Sequence, residues 1–159
     1  IFFDDGENIE LDEKRTECRK EKDIHQNTAE RKIHMKKQIA TLNAPAAIGP
    51  YSQGISAGSL VFVSGQLPVD PSTGKIEGTD MKAQARQSLK NVESVLKEVG
   101  YTLDDVVKTT CFLTDMSGFG DFNEVYAEFF KGVCPARSCV GVKQLPKEAL
   151  CELEVIACK

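Results

Sequence analysis

Two stretches of this chain carry apolar residues at helical spacing, and short runs rich in β-branched residues flank and separate them; that alternation most narrows the fold. Between Met81 and Val99 the apolar positions are Met81, Ala85, Leu89, Val92, Val95, Leu96 and Val99, three or four apart, which places them on one helical face. Thr79 or Asp80 can cap the start of this helix, and Gly100 can end it. Phe119, Phe122, Tyr126, Phe129 and Phe130 return at the same spacing, an aromatic stripe that reads as core and not as a cofactor box. The remaining apolar runs are strand-like. Ile48–Gly54 and Ser59–Ser64 flank an Ala57-Gly58-Ser59 turn and predict a hairpin, and Asp70–Gly74 is a loop. Val106–Thr114 reads as a long strand, and Ala136–Val142 and Ala149–Ala157 as two more. The order β-β-α-β-α-β-β predicts an α+β sandwich with both helices on one face of the sheet.

The segment 1–34 has a different texture. Glu10, Asp12, Glu13, Lys14, Arg15, Glu17, Arg19, Lys20, Glu21, Lys22 and Asp23 leave few aliphatic residues to bury, so burial cannot offset the entropy of ordering it. We expect a charged N-terminal extension over 1–34, disordered or belonging to upstream sequence, and one domain over 35–159 beginning near Met35-Lys36-Lys37. A length of 159 residues suits a single core.

A formal net charge of -4 lacks the basic stripe that phosphate backbones select, so nucleic acid is not the expected partner. No apolar run approaches the roughly 20 residues needed to cross a bilayer, and Ile1-Phe2-Phe3 runs at once into Asp4 and Asp5. The expected location is the cytoplasm, with the mitochondrion as the alternative. Of the cysteines, Cys111, Cys139, Cys151 and Cys158 lie in or beside apolar runs without CxxC spacing, which reads as reduced core thiols and gives no indication of a metal. Both histidines, His25 and His34, fall in the charged segment, so chemistry in the domain must proceed without imidazole.

Several residues can carry chemistry. Arg137 interrupts a strand-like run just after Pro135, and its guanidinium fork can clamp a carboxylate, though a strand-end arginine in a surface pair looks the same in sequence. Glu152 lies on the last strand, on the same face as Glu154; it can activate water or simply face solvent. Tyr51 and Asn123 can line a pocket or be structural. Ser64 and Gly65 end a strand where backbone amides can approach an anion, or where the chain merely turns. Cys139 invites a nucleophile reading, but no domain histidine stands by to activate it.

Four spaced blocks, Ala44-Pro45-Ala46-Ala47-Ile48-Gly49-Pro50-Tyr51-Ser52-Gln53, Val63-Ser64-Gly65-Gln66, Asp105-Val106-Val107-Lys108-Thr109-Thr110 and Pro135-Ala136-Arg137-Ser138-Cys139-Val140, resemble the RidA/YjgF family, also called L-PSP, over residues 38–157. The resemblance implies a chorismate-mutase-like fold with a mixed sheet, and a homotrimer whose sites lie in clefts between subunits. It implies hydrolytic deamination, without a cofactor, of small 2-imino or enamino acids such as 2-iminopropanoate and 2-iminobutanoate to 2-keto acids and ammonia. In that scheme Arg137 anchors the substrate carboxylate, the Cys139 carbonyl holds the imine nitrogen and Glu152 directs the attacking water. Tyr51, Ser64, Gly65 and Asn123 complete the substrate site. Two alternatives belong to the same resemblance: a translation inhibitor with endoribonuclease activity, and a non-catalytic ligand-binding or chaperone-like trimer.

Overall fold

The computed structural model describes residues 36–159; the charged segment expected over 1–34 lies outside them. Gly58 sits at φ 62°, a conformation that L side chains rarely adopt. The chain reverses there and pairs β2 (Gly54–Ala57) with β3 (Leu60–Gln66), Ile55 opposite Phe62 and Ser56 opposite Val61. Helix α1 spans Met81–Glu98. The Asp80 carboxylate caps it by accepting the Ala83 N–H at 2.8 Å, and Gly100, at φ 75°, closes it as the Gly100 and Tyr101 amides donate to the Lys97 and Leu96 carbonyls. Then follow β4 (Val106–Leu113), α2 (Phe119–Phe129), β5 (Ala136–Gly141) and β6 (Cys151–Cys158).

The strands form one mixed sheet in the order β1-β2-β3-β6-β4-β5, where β1 is Lys37–Ile39. All neighbours are antiparallel except β4 and β5, whose connection runs through α2, as a parallel crossover requires. Two expectations shift. The first expected strand, Ile48–Gly54, is a loop until Gly54, because Pro50 has no N–H to give a ladder and the Gln53 side chain organises the segment instead. Strand β1 was not anticipated: Lys-Gln-Ile is too short to show a period, and its pairing with β2 fixes it.

Alternation sorts the sheet into two faces. Val61, Val63, Cys111, Leu113, Leu153, Val155 and Ala157 point to the helices and are buried beneath Ala85, Leu89, Val92, Val95 and Leu96 of α1 and Phe122, Val125 and Tyr126 of α2. The predicted aromatic stripe is thus core, and the two helices share one face. The other face carries Phe62 (42% exposed), Ile156, Lys108, Thr110, Glu152, Glu154 and Val140 (44% exposed), and no element of the described chain covers it. Burial pushes the Cys111 and Cys151 thiols up to about 12, so these two are protonated and inert at neutral pH. Cys111, Cys134, Cys139, Cys151 and Cys158 are free thiols, while Cys18 lies outside the described residues. No helix among the described residues is long and apolar enough to cross a membrane.

Gln53 is 4% exposed and ties down the loop before β2. Its carbonyl accepts the Thr41 amide at 2.7 Å, and its amide donates to the Thr41, Ala44 and Pro45 carbonyls at 3.0, 3.1 and 2.7 Å. Removing it strands several buried polar groups at once. Gln53→Ala is expected to lower the unfolding free energy by about 3 kcal/mol, read from the shift in urea midpoint at constant slope.

Candidate functional site

The sheet carries an irregularity beside the open face. From Val63 to Gln66, β3 advances three residues while β6 advances two, from Val155 to Leu153, so an extra residue bulges out at Ser64–Gly65. Glu152 lies against this bulge. A Cβ built on Gly65 would stand 1.8 Å from Glu152 Oε1, so only glycine lets the carboxylate occupy that position. The Glu152 carboxyl is half-buried, and its pKa is raised above the ordinary 4.5, first by burial and then by the like charge of Glu154 on the same face. No Lys or Arg among the described residues pairs with it.

Ser64 holds the neighbouring loop. Its N–H donates to the Gln53 carbonyl at 3.0 Å and its hydroxyl to the Ser52 carbonyl at 2.6 Å. The Ser64 amide is thus used within the chain, and Ser64 positions the loop that carries Tyr51. Tyr51 is half exposed and, with Gly65, lines a cavity of about 270 Å³ walled by Ile48, Leu67, Val69 and Pro71. A second depression of about 290 Å³ lies on the open face around Phe62, Lys108, Thr110 and Glu154.

The other predicted residues gather elsewhere. Arg137 is on β5, opposite Thr109, and its guanidinium carbon sits 4.6 Å from the Tyr126 ring centroid and 5.6 Å from that of Phe119. Stacking on these rings pre-orients the planar fork, while no carboxylate among the described residues pairs with it. Tyr126 is itself fixed by a 2.8 Å hydrogen bond with Thr109. Asn123 follows Phe119 by four residues and precedes Tyr126 by three, so it shares the helical surface on which Arg137 rests. Cys139, two residues beyond Arg137, pairs in register with Cys111; burial raises its thiol pKa, which speaks against a thiolate nucleophile. The Val142 amide donates to the Leu113 carbonyl, so backbone groups of even-numbered β5 residues turn to β4. By alternation those of Arg137 and Cys139 turn to the free edge, which leaves the Cys139 carbonyl open to a ligand.

Within the described chain the two groups leave opposite faces of the sheet. Glu152 is level with Phe112 and, across β4, with Val140, and these side chains share the open face. Arg137 stands three residues along β5 from Val140 and points to the helix face. Their Cα atoms lie roughly 14 Å apart, two strand spacings and three residue rises, and the two side chains leave the sheet on opposite faces, so they diverge. The structure thus brings Tyr51, Ser64, Gly65 and Glu152 together at one locus and Arg137, Asn123 and Cys139 at another. Lys147 was not anticipated; it lines the Tyr51 cavity from a turn in which Lys147 and Glu148 sit at φ 56° and 57°. The Leu145-Pro146-Lys147-Glu148 break was visible in sequence, but its distance in sequence from Tyr51 hid the association.

The family described as Endoribonuclease L-PSP matches residues 41–159, and the chain belongs to it. A 2-iminobutanoate/2-iminopropanoate deaminase of Salmonella typhimurium is 52% identical over 126 residues, 77% of this chain and 98% of the relative. A RutC family protein of Pyrococcus horikoshii is 52% identical over 125 residues, 79% of this chain and 99% of its own. Among solved structures, E. coli TdcF with bound serine has a TM-score of 0.75 at 48% identity, covering 77% of this chain and 98% of that one.

Burial and Glu154 act in the same direction on Glu152. Carbon-13 NMR titration should place the Glu152 carboxyl above 4.5, and Glu154→Gln should move it down by removing the like charge, leaving the burial contribution.

Proposed function

We propose that this L-PSP family member is a hydrolytic deaminase of reactive 2-imino acids, assembled as a homotrimer in which Arg137 of one copy and Glu152 of the next serve a shared site. The observation that carries this reading is the half-buried Glu152 carboxylate held against Gly65 without a cationic partner among the described residues. Such a group is poised to exchange protons with a water. The similarity to a named 2-iminobutanoate/2-iminopropanoate deaminase supports the same reaction. The open face, with its exposed Phe62 and Val140, is the apolar surface that assembly would cover.

The steps follow from the residues. The Arg137 fork holds the C1 carboxylate of the substrate bidentately, and the Cys139 carbonyl accepts a hydrogen bond from the N–H of the iminium nitrogen. Glu152 takes a proton from water as the water oxygen bonds to C2 and the C=N electron pair moves to nitrogen. Glu152 then returns a proton to that nitrogen. The C–N bond breaks, the hydroxyl proton passes to the Glu152 carboxylate as the carbonyl forms, and the products are a 2-keto acid and ammonia, which takes that proton from Glu152 as it departs. The endoribonuclease reading finds less support, since residues 36–159 contain no histidine and the chain is acidic.

The test generates 2-iminopropanoate and 2-iminobutanoate in situ with an amino-acid oxidase and follows ammonia and keto-acid release. The wild type should accelerate both. Arg137→Ala should lose about 100-fold or more in kcat/KM through loss of a charge-assisted clamp, and full retained activity would exclude the anchor role. Because Glu152 must be ionised to act, activity should fall as pH drops through its raised pKa. Glu152→Gln should abolish turnover while still binding 2-oxobutanoate.

A further inference from the structure

The cavity beside Gly65 is larger than the ethyl side chain of 2-iminobutanoate needs, and one charged residue lines it. Ile48, Leu67, Val69 and Pro71 form apolar walls, and Lys147 supplies the cation. The cavity shares Gly65 with the seat of the Glu152 carboxylate, so it opens beside the position that the proposed reaction gives to C2. Lys147 is solvent-exposed at the rim of the cavity, where its turn and one hydrogen bond orient it. Its backbone and that of Glu148 both occupy the left-handed region, which non-glycine residues avoid, and its ammonium donates to the Gly74 carbonyl at 3.0 Å. That bond uses one of three donors, and no carboxylate among the described residues lies within ion-pair distance.

We propose that this cavity receives the substrate side chain and that Lys147 selects side chains ending in a carboxylate, so that 2-imino dicarboxylic acids are a preferred substrate class. The assignment rests on the deaminase reading of the neighbouring site. The apolar walls accommodate the methylene groups of such a side chain, and the ammonium meets its terminal charge. A monocarboxylic substrate of similar length gains the wall contacts alone.

Calorimetric binding of 2-oxoglutarate and 2-oxobutanoate, the corresponding keto-acid products, tests this without requiring turnover. Lys147→Met should weaken 2-oxoglutarate about tenfold more than 2-oxobutanoate, the scale of one modest ion pair. Lys147→Arg should keep most of the difference, and raising the salt concentration should narrow it in the wild type. Equal effects on the two ligands would overturn the assignment. If 2-oxobutanoate binds and 2-oxoglutarate does not, the side-chain selectivity fails while the deaminase reading stands; if neither binds, both fail together.

Discussion

The packing of the Glu152 carboxylate against the backbone of Gly65 is the contact on which the rest of the candidate site depends. A side chain at position 65 would displace the carboxylate, and a regular ladder would not present that glycine, so the bulge in β3 and the absence of a Cβ act together. The same displacement of register lets Ser64 reach back to the Ser52 and Gln53 carbonyls and hold the loop that carries Tyr51. Gln53 extends the tether to Thr41, Ala44 and Pro45. Backbone irregularity, a buried amide and a half-buried carboxylate are thus parts of one local arrangement.

A second constraint is the two-sidedness of the sheet. Helices α1 and α2 cover one face and leave the other with Phe62, Ile156 and Val140. Arg137 lies over the aromatic rings of the covered side, at the free edge formed by β5, while Glu152 belongs to the uncovered side. For a small ligand to meet both, the edge of one molecule must approach the open side of another. In the proposed account, catalysis and assembly are therefore one problem, and the surface hydrophobicity that would trouble a monomer is the seam of the site.

Much of this was legible in the sequence, for identifiable reasons. Helix α1 announced itself through its apolar spacing and through Asp80 and Gly100 at its ends; α2 did so through its aromatic stripe. Alternation correctly set Glu152 and Glu154 on one face. What the pattern could not supply was register. Whether Arg137 shares a face with Glu152 depends on which strands lie between them, and that is a property of the sheet order rather than of any local run. The same limitation hid β1, whose three residues have no period, and the capture of the Ser64 amide by Gln53. Lys147 escaped notice because its place at the Tyr51 cavity arises from a turn far along the chain.

Co-refolding Arg137→Ala with Glu152→Gln and measuring imine hydrolysis by the mixture decides whether the site is divided between copies. Each variant alone lacks one half of every site, whereas a mixed ring contains junctions where an intact Arg137 meets an intact Glu152. With random assembly at equal amounts about one quarter of wild-type activity should return, since a given junction receives the competent ordered pair with that frequency. No recovery from properly assembled mixed oligomers would contradict the division of the site between copies.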